Sequence, residues 1–206
     1  MILSIEGLKG SGKTTLINRL KDRFHINIAK KYTKTQHPGN YSLSEFVSNL
    51  FFSLEESIDS DIILDKGLIT LSTAGLYGYA KENPGYSFDN YKEKNDKLLD
   101  NLIMEYRRFE DNTIFVILNC NTEERVKRVL NRPAKKPSDI YFLENIKDYL
   151  TLFERNVEVV KKNLKKSRFA EFNNNNFEDL DPIFTYLKQA IICNKNYNYK
   201  DKVYKL

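Results

Sequence analysis

The residues Gly7-Leu8-Lys9-Gly10-Ser11-Gly12-Lys13-Thr14 follow the apolar run Ile2-Leu3-Ser4-Ile5 and precede a helical pattern. That is the spacing G-x-x-x-x-G-K-[ST] in the strand-to-helix setting a phosphate-binding loop requires. Glycines let the backbone curl so that successive N–H groups face inward, Lys13 can reach terminal phosphates, and the Thr14 hydroxyl can ligate Mg²⁺. The chemistry implied is the holding of ATP, with Mg²⁺, by Gly7, Leu8, Lys9, Gly10, Ser11, Gly12, Lys13, Thr14 and Thr15. Asp65-Lys66 closes a second apolar run, Ile62-Ile63-Leu64. An acid there can bind Mg²⁺ through water, fix Lys66, or simply cap the next helix. Arg132, Lys135 and Lys136 lie beside Pro133 and Pro137. By themselves they read as a basic loop, and charge runs are usually solvated.

Alternating elements must position these groups. Strands are expected at Ile2–Glu6, Ile26–Tyr32, Asp61–Asp65, Thr113–Leu118 and Arg168–Phe172. Helices are expected over Thr14–Arg23, after a cap at Ser42 or Ser44, over Leu68–Ala80 and Asp89–Arg108, and over Glu123–Leu130 behind Asn121 or Thr122. Ser138 and Asp139 start what reads as one long helix toward Lys166, and a last helix begins at Asn176 or Asp181 and ends near Cys193. The Asn173–Asn176 run is a loop, since Asn favours turns. Such alternation, with a phosphate loop after the first strand, implies a parallel three-layer α/β sheet with ligands at the carboxyl ends of its strands.

The 206 residues fit one domain, 1–194, with a basic, proline-bracketed loop near 131–140 and a basic tail, 195–206. No apolar run is long enough to span a bilayer and no secretory leader is recognisable, so a cytoplasmic, membrane-free protein is expected. The two cysteines, Cys120 and Cys193, lack metal-ligand spacing and read as idle thiols. The net charge of +5 gathers late, at Lys161, Lys162, Lys165, Lys166 and Arg168 and in the tail. It suits a solvated face better than a nucleic-acid groove, and anionic small molecules are the better partner. His25 and His37 have no catalytic partner pattern.

Glu6-Gly7-Leu8-Lys9-Gly10-Ser11-Gly12-Lys13-Thr14-Thr15 resembles the phosphate loop of the thymidylate kinase family, E-G-x-[DE]-G-[AS]-G-K-[ST]-T. Thr35-Gln36-His37-Pro38-Gly39 is similar to that family's T-R-E-P-G, Asp65-Lys66-Gly67 to its D-R-[YH], and Thr122-Glu123-Glu124-Arg125 to part of its strand-four block. The resemblance implies a five-stranded parallel sheet in the order 2-3-1-4-5, helices on both faces, a short lid and a homodimer. It implies transfer of a phosphoryl group from ATP to a nucleoside monophosphate, dTMP in the family. Lys13, Asp65, Lys66 and Arg132 would then be catalytic, Thr14 and Asp65 would meet the metal, and Arg132, Lys135 and Lys136 would supply lid cations. Gln36, Phe52, Glu56, Lys66 and Thr70 would line the acceptor site.

This chain departs from the family at several of those positions. Lys9 replaces an acid that contacts the sugar 3′-hydroxyl, and Gln36 and Lys66 replace arginines that hold the acceptor phosphate. Lysine keeps the charge at position 66 but loses the bidentate fork. Glu56 stands where an arginine bonds thymine, and a carboxylate suits an exocyclic amino group better. Phe52 reads equally as a base-stacking ring and as core packing, and Glu56 equally as a solvated helix residue. A nucleoside kinase, or a binding module that transfers nothing, are the other readings. The former needs a carboxylate base after the second strand, where only Gln36 and His37 stand.

Overall fold

The computed structural model describes residues 1–24, 27–28, 43–58, 60–176 and 181–190. Strand β1 (Ile2–Glu6) is buried throughout and sets the layers. Side chains alternate along a strand, so Leu3 and Ile5 enter one apolar cluster while Ile2 enters the other. Ser4 and Glu6 share the face of Ile2, which brings a carboxylate to the carboxyl end of the central strand.

Around β1 lie β2 (Asn27–Ile28), β3 (Ile62–Leu64), β4 (Thr113–Asn119) and β5 (Arg168–Asn173). They form one sheet in the order β2-β3-β1-β4-β5, as expected. Every ladder is parallel, with Leu3 opposite Ile63 and Ile114. Parallel strands need crossovers, and helices supply them on both faces. On one face α1 (Lys13–Phe24) and α8 (181–190) bury Leu16, Leu20, Ile183 and Leu187 against Leu3, Ile5, Val116 and Leu118. The other carries α2 (Leu43–Glu56), α3 (Leu68–Glu82) and α4 (Phe88–Tyr106), with Leu54, Leu68, Leu102 and Tyr106 packed on Ile62, Phe115 and Ile117. A 3₁₀ segment, Arg107–Asn112, leads into β4, and α5 (Thr122–Leu130) follows it behind Asn121, whose side chain accepts from the Glu124 amide. The remainder of the second strand, the Ser42 cap, His25, His37, Gln36, Cys193 and the tail lie outside the described residues. Cys120 is buried, and burial raises its thiol.

The single helix expected from Ser138 to Lys166 is two, α6 (Pro137–Glu144) and α7 (Ile146–Asn163). At Asn145 the backbone leaves helical geometry (φ −117°, ψ 28°), and both its N–H and its Nδ2 donate to the Tyr141 carbonyl, at 3.1 and 2.9 Å. A side-chain amide that competes for a backbone acceptor closes the turn. Tyr141 itself is held by a hydroxyl–hydroxyl bond to Tyr86 and ring contacts to Tyr77 and Tyr149. Behind it, α3, α4 and α7 are joined by a fully buried amide network. Asn95 Nδ2 donates to Asn156 Oδ1 at 2.9 Å, and Asn156 Nδ2 reaches the Ser72 and Thr73 hydroxyls at 3.1 Å each. Among the described residues no helix is long and apolar enough to cross a membrane.

Candidate functional site

The glycine loop between β1 and α1 is shaped from outside, by its carbonyls. Arg125 Nη1 donates to the Lys9 carbonyl (3.3 Å), Arg128 Nη1 to that of Gly10 (3.3 Å), and Asn174 Nδ2 to that of Ser11 (2.7 Å). In a trans peptide the C=O and the following N–H point in opposite directions. Pulling the Lys9 and Ser11 carbonyls outward therefore turns the Gly10 and Gly12 amides inward. Gly10 (φ +80°) and Gly12 (φ +90°) adopt conformations that disfavour a side chain. A Cβ at Gly12 would also lie 2.1 Å from Asn174 Nδ2, and one at Gly10 2.7 Å from the Arg125 carbonyl. Ser11 is buried with its hydroxyl unpartnered, a further polar atom at the cradle. These features fit a bound polyphosphate.

Behind the loop, Glu6 is fully buried, accepting from Ser4 Oγ and from the Thr70 amide, both at 2.8 Å. Thr70 Oγ1 accepts in turn from the Gly7 amide at 3.0 Å. Gly67 precedes α3 and permits this contact, since a Cβ there would sit 1.8 Å from Ser4 Oγ and 2.1 Å from Glu6 Oε1. Burial pushes the Glu6 carboxyl up, more than the bonds from Thr70 and Ser4 and the Lys13 charge bring it down. Thr70, read as an acceptor-site residue, is thus buried and brought to the donor loop, where its hydroxyl is engaged by Gly7.

Lys13 begins α1 and turns its ammonium back along the loop, donating to the Gly7 carbonyl and, at 3.2 Å, to that of Leu8. Burial lowers it to about 8 against the favourable charge of Asp65. Its titration also senses Lys66 and Glu6, so strands one and three converge on this lysine. Asp65 is half-buried and Lys66 exposed, the latter at φ 142°, a strained backbone for a residue with a Cβ. Thr14 is exposed and Thr15 half-buried in the first turn of α1. Among the described residues no group of three or more acids, histidines or cysteines is gathered for a metal. A hydroxyl and a carboxylate are hard oxygen donors of the kind magnesium takes, which is the chemistry Thr14 and Asp65 would offer that ion.

Lys9 departs from the rest of the loop. Its ammonium points to the start of α6, 2.7 Å from both Ser138 Oγ and Asp139 Oδ1. Arg132 Nη1 reaches the same Oδ1 at 2.8 Å, and the Lys136 amide donates to Oδ2 at 3.0 Å, while the Lys135 and Lys136 side chains are exposed. Leu8 is buried. On α2, Phe52 is 55% exposed and so is not core, and Glu56 is half-buried in the last turn.

Sequence reasoning missed Glu6 as a structural acid, Asp139 as an ion-pair centre, and the Arg125–Arg128–Asn174 brace. The signals were present in part: Arg125 falls in the strand-four block, and Asn174 lies in the asparagine run after β5.

Comparison with known proteins agrees with this geometry. The AAA domain family matches residues 3–150. A thymidylate kinase of Protochlamydia amoebophila (strain UWE25) is 41% identical over 56 residues, 27% of this chain and 24% of that one, so the match spans about a quarter of the relative's length. The structure of deoxyadenosine kinase from M. mycoides with bound dATP superposes with a TM-score of 0.61 at 17% identity, covering 91% of this chain and all of that one. Thymidylate kinase from Candida albicans gives 0.57 at 17% identity, over 95% and 92% of the two chains. The fold is that of the P-loop nucleoside and nucleotide kinases. With its glycine loop matched from the first strand onward, the chain belongs to the AAA domain family.

Proposed function

We propose that this protein transfers a phosphoryl group from ATP to a nucleoside monophosphate, in the manner of a dTMP kinase. The observation that carries this reading is the convergence of Lys13, in a glycine loop braced for an anion, with Asp65 and Lys66 at the end of β3. Phosphoryl transfer asks chiefly for alignment and positive charge around the moving group. Inward amides and Lys13 hold the donor phosphates. Thr14 and Asp65 would hold Mg²⁺, which when bound neutralises charge on the phosphate oxygens. Lys66, as a point charge, and Gln36 are assigned to the acceptor phosphate, Arg132, Lys135 and Lys136 to the donor side, and Phe52 and Glu56 to the acceptor base. The whole of 1–194 works as one domain, in the cytoplasm and as a homodimer, which sedimentation of the purified chain would test.

A second reading, a deoxynucleoside kinase, is supported by the likeness to the M. mycoides deoxyadenosine kinase fold and by the departures at Gln36, Glu56 and Lys66. Release of ADP from ATP and Mg²⁺, measured against a panel of nucleosides and monophosphates, separates the two. A response to dTMP or another monophosphate supports the first reading. A response to nucleosides alone replaces it with the second, and ATP uptake with no transfer to any acceptor makes the protein a binding module.

A further inference from the structure

Asp139 is 1% exposed, yet it is shared by two cations from different parts of the chain. Lys9 belongs to the glycine loop and Arg132 to the basic loop before α6, and both meet the same carboxylate oxygen, at 2.7 and 2.8 Å. The Lys136 amide holds the other oxygen at 3.0 Å, so the carboxylate is fixed in orientation as well as in place. Its support is firm on both sides. The Lys9 backbone is tied by Arg125, and α6 is seated through Tyr141 on Tyr77, Tyr86 and Tyr149. Two like charges brought this close repel unless a carboxylate lies between them. Both cations remain partly exposed, Lys9 at 29% and Arg132 at 39%. An ammonium has three donors and a guanidinium five, whereas the contacts described use two of the former, to Ser138 and Asp139, and one of the latter.

We propose that Asp139 is a positioning residue that sets Lys9 and Arg132 side by side at the rim of the glycine loop, making loop and lid a single binding surface for the donor polyphosphate. This rests on the donor half of the function proposed above and assigns Lys9 to the lid and the donor, away from an acceptor sugar.

A charge argument separates this role from a simple field effect. Removing an acid near a polyphosphate site should tighten ATP if only net charge matters, and should loosen it if the acid aligns the cations. Calorimetric titration with MgATP, without acceptor, would be run on the full chain and on Asp139→Asn, Lys9→Met, the double variant and Lys9→Arg. The expected result is roughly tenfold weaker binding for each of the first two, a double variant within about twofold of either single, and Lys9→Arg within about twofold of the parent. Hydrogen exchange should quicken at the α6 amides in Asp139→Asn and remain at the parent rate in Lys9→Arg. Unchanged or tighter ATP binding by Asp139→Asn would overturn the proposal, as would additive losses in the double variant. Should Asp139→Asn fail to fold, the contrast between Lys9→Met and Lys9→Arg decides alone, and equal affinities there count against it. A parent protein that binds MgATP but phosphorylates nothing in the acceptor panel would refute the kinase reading and leave these comparisons intact, whereas absence of ATP binding refutes both.

Discussion

The amide of Thr70 donates to Glu6 Oε2 at 2.8 Å, tying the last residue of β1 to the first turn of α3 across 64 positions of sequence. A helix start carries partial positive charge and free N–H groups, so a carboxylate is welcome there. Gly67, the residue before α3, makes no side-chain cap of its own, and Glu6 supplies the missing acceptor from a neighbouring strand.

Because burial raises the folded carboxyl of Glu6 above its ordinary value, folding takes up a proton between about pH 4 to 5 and the raised folded pKa. The wild-type protein therefore loses stability from this group as pH climbs through that window. Glu6→Gln cannot titrate, so its stability relative to the parent should improve from pH 5 to pH 8 in urea denaturation. The opposite drift would mean that the Thr70 amide and Lys13 outweigh burial.

Gly67→Ala places a methyl group on top of both Ser4 and Glu6. Overpacking of this kind costs about 1–3 kcal/mol, and displacing a buried carboxylate from its donors adds to it. A loss of at least 2 kcal/mol is expected on the order-of-magnitude scale of those effects, read as a lower denaturation midpoint. Gly78→Ala is the control, since a Cβ there meets nothing within 4 Å.

Lys13 is held at about 8, so its ammonium is present at pH 7 and largely lost by pH 9. Affinity for MgATP should fall roughly tenfold over that interval as the fraction protonated falls. Lys13→Ala should abolish turnover with an unchanged circular dichroism spectrum and a flat pH response in calorimetry. Retained activity would remove Lys13 from the donor site.

Asn156→Ala would remove the partners of both ends of the buried Asn95 amide, while the Ser72 and Thr73 hydroxyls would keep their bonds to the Leu68 and Ile69 carbonyls. Each orphaned group costs about 1–3 kcal/mol, so this exposed-to-nothing network should be among the most sensitive positions between α3, α4 and α7. Thermal unfolding checks it, and a change in Tm no larger than that of a surface control would show that the network contributes little.

The parts legible in the sequence were those written locally. Ile2–Glu6 and Thr113–Leu118 are short, mostly apolar runs, and the loop from Gly7 to Thr15 is one unbroken motif, so strand, turn and helix could be read without knowing their neighbours. The break at Asn145 was hidden because Phe142, Ile146, Tyr149 and Phe153 keep a helical spacing across it. Only the seating of Tyr141 on Tyr77 and Tyr86 shows why the turn ends there. Asp139 looked like a helix start, and its partner Lys9 stands 130 residues away, beyond the reach of any periodicity. The bond from Thr70 to Glu6 was out of reach for the same reason, since the strand that engages it is 64 residues earlier.

Arg128 and Asn174 grip the glycine loop from α5 and from the turn after β5. Arg128 is itself clasped there by the carbonyls of Asn174 and Asn175, each at 2.9 Å. During synthesis, then, the opening strand and its glycine bend leave the ribosome long before anything can mould them. The nascent protein should gain its grip on nucleotide only once residues 174 and 175 have emerged, so that competence for ligand reports completion of the last strand.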